Sequence, residues 1–269
     1  MGRFAVCIPV YNGANFIGEA LESVARQTLS DVEVIVSDNA STDATANILQ
    51  HWSGKMNMRV VRQATTLPMQ QHFNAVLDMV DSEFYMLLCH DDYLAHPDAL
   101  RLAHAVMMKN PGVGTVYCDL QYVNAKRRKI AGRSFRRAGE FDADETGLTT
   151  IRNARNLFGI PLAIRHTALG ALRYDPAFHY TMDVDLSWAI AKSSQVFHIA
   201  RPLIANRYGA TNSTWSLLSA ARDEFIALAA KYDVRMNRLD RIRLRMTNFK
   251  VTQQKRLFAA YLRVVTWLR

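Results

Sequence analysis

Short apolar runs separated by amphipathic stretches fill the first 120 residues. Phe4-Ala5-Val6-Cys7-Ile8 is continuously apolar, the pattern of a strand buried on both faces, and Pro9 is expected to stop it. Ile17, Ala20, Leu21 and Val24 recur at helical spacing after Asn15, which suits an N-cap. Residues 32–36 read as a second strand ending at Ser37-Asp38-Asn39, and Asp43 suits the cap of a helix to about Gln50. Residues 58–61 form a weaker third strand pattern. Residues 69–80 read as a helix with Phe73, Val76, Leu77 and Val80 inward. Residues 84–88 are a strong buried strand running into His90-Asp91-Asp92. Pro97 opens a helix to about Lys109, and residues 114–118 read as another strand. This alternation predicts an α/β fold with an open, mostly parallel sheet and helices on both faces. Such sheets bind ligands outside the carboxyl ends of their strands. The polar clusters at 9–12, 38–43 and 90–92 fall at those ends. Residues 120–200 are less regular, and no repeat or linker marks a boundary before about residue 215.

Composition narrows the class. The chain has 269 residues, 49% hydrophobic and 21% charged, with 12 Gly and 7 Pro, which excludes a low-complexity chain. No apolar run approaches the roughly 18 residues of a membrane span. The opening passes straight into a strand pattern without a signal-peptide core, so a cytoplasmic protein is expected. Cys7, Cys89 and Cys118 form no paired motif and lie in apolar stretches, as buried free thiols in a reducing compartment would.

The formal charge is +9, and all of it lies at one end. Residues 231–269 hold eleven Lys or Arg and two acids, while residues 1–230 are balanced. Leu239, Ile242, Leu244 and Met246, then Leu257, Tyr261, Val264, Val265 and Leu268, give this segment helical amphipathicity. Two readings stay open. One is an anionic membrane surface contact, which would make the protein peripheral on the inner membrane face; the other is a helix packed on the body with a solvated basic face. A second basic cluster, Lys126 to Lys129 with Arg133, Arg136 and Arg137, reads as a surface loop or hairpin. A nucleic-acid partner is not expected, because residues 1–230 carry no excess charge and no nucleic-acid motif occurs.

The acids at strand ends carry the chemistry. Asp38, Asp91 and Asp92 would meet in one crevice, where Mg²⁺ or Mn²⁺ is typically held by one or two carboxylates plus substrate phosphates. Asp91-Asp92 could instead cap the following helix. The Gly-rich dinucleotide and P-loop signatures are both absent, as are HExxH and GxSxG.

Three strings then carry a resemblance: Ile8-Pro9-Val10-Tyr11-Asn12-Gly13, residues 21–28 (LESVARQT) and residues 33–43 (EVIVSDNASTD). Together they resemble the opening of family 2 glycosyltransferases of the GT-A fold. The likeness continues through Leu87 to Asp92, Gly170 to Asp175 and Met182 to Leu186, covering roughly residues 3–210. It implies an inverting transfer of sugar from a nucleotide diphosphate sugar to a glycan or lipid-linked acceptor, as in surface polysaccharide synthesis. It implies a GT-A domain over 1–215, with a nucleotide-binding half (1–120) and an acceptor half (121–215), followed by a basic helical extension (216–269).

By the same resemblance, Pro9, Tyr11 and Asn12 would line the nucleotide pocket, and Asp38 and Asn39 would read base and ribose. The donor and acceptor of the Asn39 amide suit a pyrimidine, so a UDP- or dTDP-type donor is favoured. Asp92 is assigned to the metal and Asp91 to the metal or ribose, with Cys89 standing where the family's first acid is usual. Asp183 matches the general base, with Asp185 as competitor and Met182 in place of the usual Glu. Arg207 would approach the phosphates; the His often found two positions later is Gly209 here. Asn74 is placed near the sugar, and Trp188 and Trp215 could stack on an acceptor. Cys89 and Met182, each replacing an acid, also motivate an alternative: a catalytically inactive nucleotide-sugar-binding scaffold of the same fold.

Overall fold

The computed structural model describes residues 3–208, 217–218 and 220–267. Trp215 and Leu268, and the side chains of Tyr261, Val264 and Val265, lie outside what is described. The elements run β1 (Phe4–Val10), α1 (Ile17–Ala25), β2 (Val32–Asp38), α2 (Thr45–Ser53), β3 (Met58–Arg62), α3 (Met69–Leu77), β4 (Phe84–Leu87), β5 (Tyr93–Leu94) and α4 (Ala99–Lys109). Then follow β6 (Val113–Val123), β7 (Lys129–Arg133), β8 (Gly139–Glu140), α5 (Ala143–Asn153), β9 (Pro161–Arg165), α6 (His166–Leu169), α7 (Met182–Ala191), β10 (Gln195–Arg207), α8 (Ala221–Lys231) and α9 (Arg238–Trp267).

The main sheet has the order β3-β2-β1-β4-β9-β6-β10-β5, with β7 on β6 and β8 on β10. β3, β2, β1 and β4 are mutually parallel, and β6 and β10 are parallel to each other; β9 runs antiparallel between β4 and β6. The amino end of β9 therefore lies beside the carboxyl end of β4 and against Tyr117 in the middle of β6. β1 is buried throughout because each face meets a core. Phe4, Val6, Ile8 and Val10 join α1, α2 and α4 on one side, while Ala5 and Cys7 join α3, α5, α7 and α8 on the other.

Several expectations change. Pro9 does not end β1, which continues to Val10 in register with β2. Pairing with β4 stops at Cys7, and Pro9, two residues on, faces that same side, so its missing N–H costs no ladder bond. Asn15 caps nothing: α1 begins after Phe16, without a side-chain cap. Asp91-Asp92 do not cap a helix, because β5 intervenes before α4. The strand expected at 114–118 runs eleven residues, because β9 and β10 flank it. The basic cluster forms the β6–β7 hairpin, with Arg127 at its turn (φ 60°).

The C-terminal segment is built into the body. Phe225, Leu228, Ala229 and Leu244 are buried in the core that holds α7. The Glu224 carboxylate accepts hydrogen bonds from the backbone N–H groups of His179, Tyr180 and Thr181 (2.8–3.0 Å) just before α7. Tyr232 stacks on Trp188, with ring centroids 4.2 Å apart. Trp188 is 2% exposed and donates to Asp144 (2.8 Å), so its ring is core and not an acceptor platform. Beyond this joint α9 buries Leu244 and Val251 and leaves Leu239, Ile242, Met246, Phe249 and Leu257 exposed. No helix among the described residues is long and apolar enough to cross a membrane.

Candidate active site

A cleft of about 720 Å³ opens where β4, β6 and β10 end and β9 begins. Leu87, Leu88, Cys89 and Asp92 come from the end of β4, Asn206 and Tyr208 from the end of β10, and Asn156 to Pro161 from the approach to β9. Met182, Asp183 and Val184 enter from the first turn of α7. Thus Asp92 and Asp183, 91 residues apart in the chain, face one cavity.

At the β4 end, ligand atoms of Cys89, Asp91 and Asp92 lie within 4.8 Å of one another. Asp92 is buried; its Oδ1 accepts from the Arg207 N–H (2.8 Å) and its Oδ2 from Asn206 Nδ2 (2.9 Å). Burial and then the charge of Asp91 push its carboxyl up to about 8, against the hydrogen bonds from Arg207 and Asn206. Burial, then the charges of Asp92 and Asp91, hold the Cys89 thiol well above its ordinary range. Two crowded carboxylates with unrelieved negative charge suit a hard divalent cation completed by phosphate oxygens. Cys89 adds a softer donor where an acid was expected. It is half-buried and faces the cleft, unlike the buried Cys7 and Cys118.

Asp183 is exposed to the cleft. Its Oδ2 accepts from Asn156 Nδ2 (2.8 Å) and its Oδ1 from the Val184 N–H (3.0 Å). Asp185 is 2% exposed and bound to Lys231 Nζ (2.9 Å) and the Tyr232 hydroxyl (3.0 Å). Burial opposes the Lys231 charge, but its bonds to Asp185 and Asp175 outweigh this and raise its pKa. Asp185 is therefore structural and Asp183 is the accessible carboxylate.

Sequence reasoning missed Asn156. Its Oδ1 accepts from the N–H groups of Phe158 and Gly159, and Gly159 has φ 100°. The Asn-x-x-Gly spacing was the available signal of such a turn.

The loops after β1 and β2 lie beside the cleft but do not line it, and they are laced together. The Asn12 N–H donates to Ser41 Oγ, and Asn12 Oδ1 accepts from the Thr42 N–H. Asp43 bonds both the Ala14 and Thr45 N–H groups, bridging the loops as well as starting α2. His90 packs over Gly13, where a Cβ would come within 2.7 Å of its ring. Pro9 is buried in β1 and Tyr11 is 46% exposed. Asp38 is 1% exposed, ion-paired with Arg62 and bonded to the Ser41 N–H (2.9 Å).

Three expectations are corrected here. The Asn39 amide is consumed by Leu67, accepting from its N–H (2.8 Å) and donating to its carbonyl (3.0 Å), which leaves no paired edge for a base. Arg207 is 3% exposed, and its guanidinium bonds the carbonyls of Asp91, Asn124 and Ala125 and the Glu19 carboxylate. It braces the Asp91–Asp92 turn from behind and is not an open phosphate ligand. Asn74 pairs through its side chain with both backbone groups of Tyr174, which makes it a tether.

The family model for glycosyl transferase family 2 matches residues 5–175, more than half of the chain. The chain belongs to glycosyl transferase family 2. Among curated relatives of this family, the poly(ribitol-phosphate) beta-N-acetylglucosaminyltransferase TarS of Staphylococcus aureus is 34% identical over 98 residues, 35% of this chain and 17% of TarS. A PGL/p-HBAD biosynthesis glycosyltransferase of Mycobacterium bovis is 28% identical over 142 residues, 52% of each chain. The abequosyltransferase RfbV of Salmonella typhimurium is 31% identical over 93 residues, 33% of this chain and 28% of RfbV. The matches thus span about half or less of these relatives' lengths.

Among solved structures, S. aureus TarS 1–349 in complex with UDP-GlcNAc superposes with a TM-score of 0.64 at 19% identity, covering 82% of this chain and 66% of that one. Mannosyltransferase PcManGT from Pyrobaculum calidifontis, in complex with GDP-Man and Mn²⁺, gives 0.61 at 16%, covering 99% and 75%. The family 2 chain therefore has the GT-A fold of these transferases.

Proposed function

We propose that the chain is an inverting glycosyltransferase, moving a sugar from a nucleoside diphosphate to a hydroxyl of a cell-surface glycan or glycolipid. The observation that carries this reading is that Asp92 and Asp183, far apart in the chain, line one cleft. Asp183 would accept the proton of the attacking hydroxyl, with Asn156 orienting its carboxylate so that one oxygen points at the acceptor. Asp91 and Asp92, with Cys89 beside them, would hold Mg²⁺ or Mn²⁺. When bound, the ion neutralises the departing diphosphate.

Tyr11 and Asn12, both exposed, would meet the nucleoside, with Pro9 and Asp38 buried beside them. A UDP-type donor is favoured by the TarS complex with UDP-GlcNAc, although PcManGT takes GDP-Man on the same fold. A panel of nucleotide sugars, read by thermal shift with Mn²⁺ present and then by turnover, tests the reading. Unchanged turnover in both Asp92→Ala and Asp183→Asn would remove the assigned roles. Binding without turnover in the wild-type chain would favour a non-catalytic scaffold.

The exposed face of α9 supports an anionic membrane contact. At 100° per residue, Leu239, Ile242, Met246, Phe249 and Leu257 fall within about 80° of arc. Arg238, Arg245 and Arg256 flank this stripe on one side, Arg243 and Lys250 on the other, and the buried Leu244 and Val251 lie opposite. Apolar and cationic side chains on one face suit a bilayer of anionic lipid. Liposomes containing phosphatidylglycerol should retain the wild type and release an Ile242→Glu, Phe249→Glu variant. Equal retention defeats this assignment. Deleting everything after residue 230 is a poor test, because it removes Lys231 and Tyr232, which hold α7 in place.

A further inference from the structure

The cleft carries charge of both signs. Its only carboxylates among the described residues are Asp92 and Asp183, and its only guanidiniums are Arg133 and Arg155. Arg133 arrives on β7; its Nη2 donates to the Asn156 carbonyl (2.6 Å), and its guanidinium lies 4.3 Å from the centre of the Phe135 ring. Arg155 lies between α5 and β9, with Nη2 3.5 Å from Gln254 Oε1 of α9. Arg62, Arg165, Arg173 and Arg207 each have a carboxylate partner. Among the described residues no carboxylate pairs with Arg133 or Arg155, and the sequence places no Asp or Glu in 209–216 that could supply one.

Both cations act on the Tyr208 phenol, opposing the rise that burial and Tyr122 impose on its pKa. Arg133 bonds the carbonyl of Asn156, the chain neighbour of Arg155, so the two cations lie on one part of the cavity wall. That part adjoins the base, because Arg133 holds the backbone of Asn156 and the Asn156 side chain holds Asp183. Two guanidinium forks with no carboxylate in ion-pair contact among the described residues, beside the phenols of Tyr180 and Tyr208, form a receptor for a phosphate group.

We infer that the acceptor carries a phosphate ester close to its attacking hydroxyl, and that Arg133 and Arg155 grip it. This rests on the glycosyltransferase reading for the meaning of "acceptor", but phosphate binding can be measured without turnover. The shared chemistry is the phosphate, whether in a polyol-phosphate chain or in a lipid-linked sugar.

The experiment uses the full chain with saturating UDP and Mn²⁺. Glycerophosphoglycerol and dodecyl phosphate are titrated by calorimetry, with glycerol and dodecyl maltoside as neutral controls. The phosphate probes should bind to the UDP-loaded protein, and binding should weaken with added salt. Arg133→Gln and Arg155→Gln should each weaken it about tenfold while UDP affinity and the circular dichroism spectrum stay unchanged. Tighter binding of dodecyl phosphate points to a lipid-linked source and tighter binding of the diester to a polymer; either supports the inference. Displacement of UDP by the probes, or wild-type phosphate affinity in both variants, overturns it. Failure of the wild type to bind any nucleotide defeats the transferase reading instead, and the same titrations without UDP then decide whether the phosphate site exists.

Discussion

The loops after β1 and β2 and the turn that opens α7 present polar groups to the same region, but they are stabilised differently. The first pair is knitted from neighbouring βα units: Asn12 to Thr42, Ala14 to Asp43, Asp38 to Arg62. Its hydrogen bonds are local to the sheet edge and leave the α8–α9 segment uninvolved. The turn before Asp183 is held from the far end of the chain, by Glu224 below and by Lys231 and Tyr232 at the side. The contrast teaches that the Asp183 side of the cleft depends on the C-terminal segment for its geometry, whereas the loops after β1 and β2 assemble from their own strands.

The contrast can be tested, beginning with the largest effect. Asp183→Asn keeps the shape of the α7 turn but removes the base, so turnover should fall by about 10²- to 10⁴-fold. Donor affinity, measured by calorimetry, should be unchanged. A matching loss of nucleotide binding would mean that the two sides are not separable.

Glu224→Ala leaves three backbone N–H groups and the Thr181 hydroxyl without their acceptor in a buried setting. It should cost about 3 kcal/mol, read as a lower urea midpoint at constant slope. It should also reduce turnover at temperatures where the protein remains folded, while an equivalent change at Asp43 should act mainly on nucleotide affinity.

A smaller effect is expected at His72, beneath the end of β2, where Nε2 lies 3.0 Å from Ser37 Oγ. Burial lowers its pKa below the usual 6.5, against the Ser37 hydrogen bond and the Asp38 charge. The unfolded chain then binds a proton that the folded protein refuses as pH falls below 6.5, so stability is lost on acidification. The stability advantage of wild type over His72→Gln should shrink between pH 8 and pH 5.5, and a pH-independent difference would rule out a buried neutral imidazole.

Last, Ala40 sits at φ 58° in the loop after β2. A side chain there costs roughly 1 kcal/mol relative to glycine, so Ala40→Gly should raise the melting temperature by a few degrees.

Much of the first 120 residues was legible because each element there declares itself locally. β1, β2 and β4 are apolar runs covered on both faces, and the polar clusters that follow them must emerge at one edge of a parallel sheet. Asp92 belongs to one of these clusters, whereas Asp183 was singled out only through the family resemblance. Asn39 and Arg207 were misread because their local patterns resemble ligand groups while their actual partners, Leu67 and the Asp91, Asn124 and Ala125 carbonyls, are set by folding. Asn156 was invisible except as a turn residue, since its importance comes from meeting Asp183 across 27 positions.

By itself, then, the sequence determined the alternating strands and helices of the first half through its hydrophobic periodicity, the edge at which chemistry gathers, and the concentration of charge in α9. Tertiary structure alone decided which carboxylate is accessible. Asp183 and Asp185 are equivalent as text, but Lys231 and Tyr232 neutralise and bury one of them and leave the other facing the cleft. Periodicity records burial against water, which every residue senses locally, whereas the pairing of charges depends on which distant side chains the packing brings within hydrogen-bond reach.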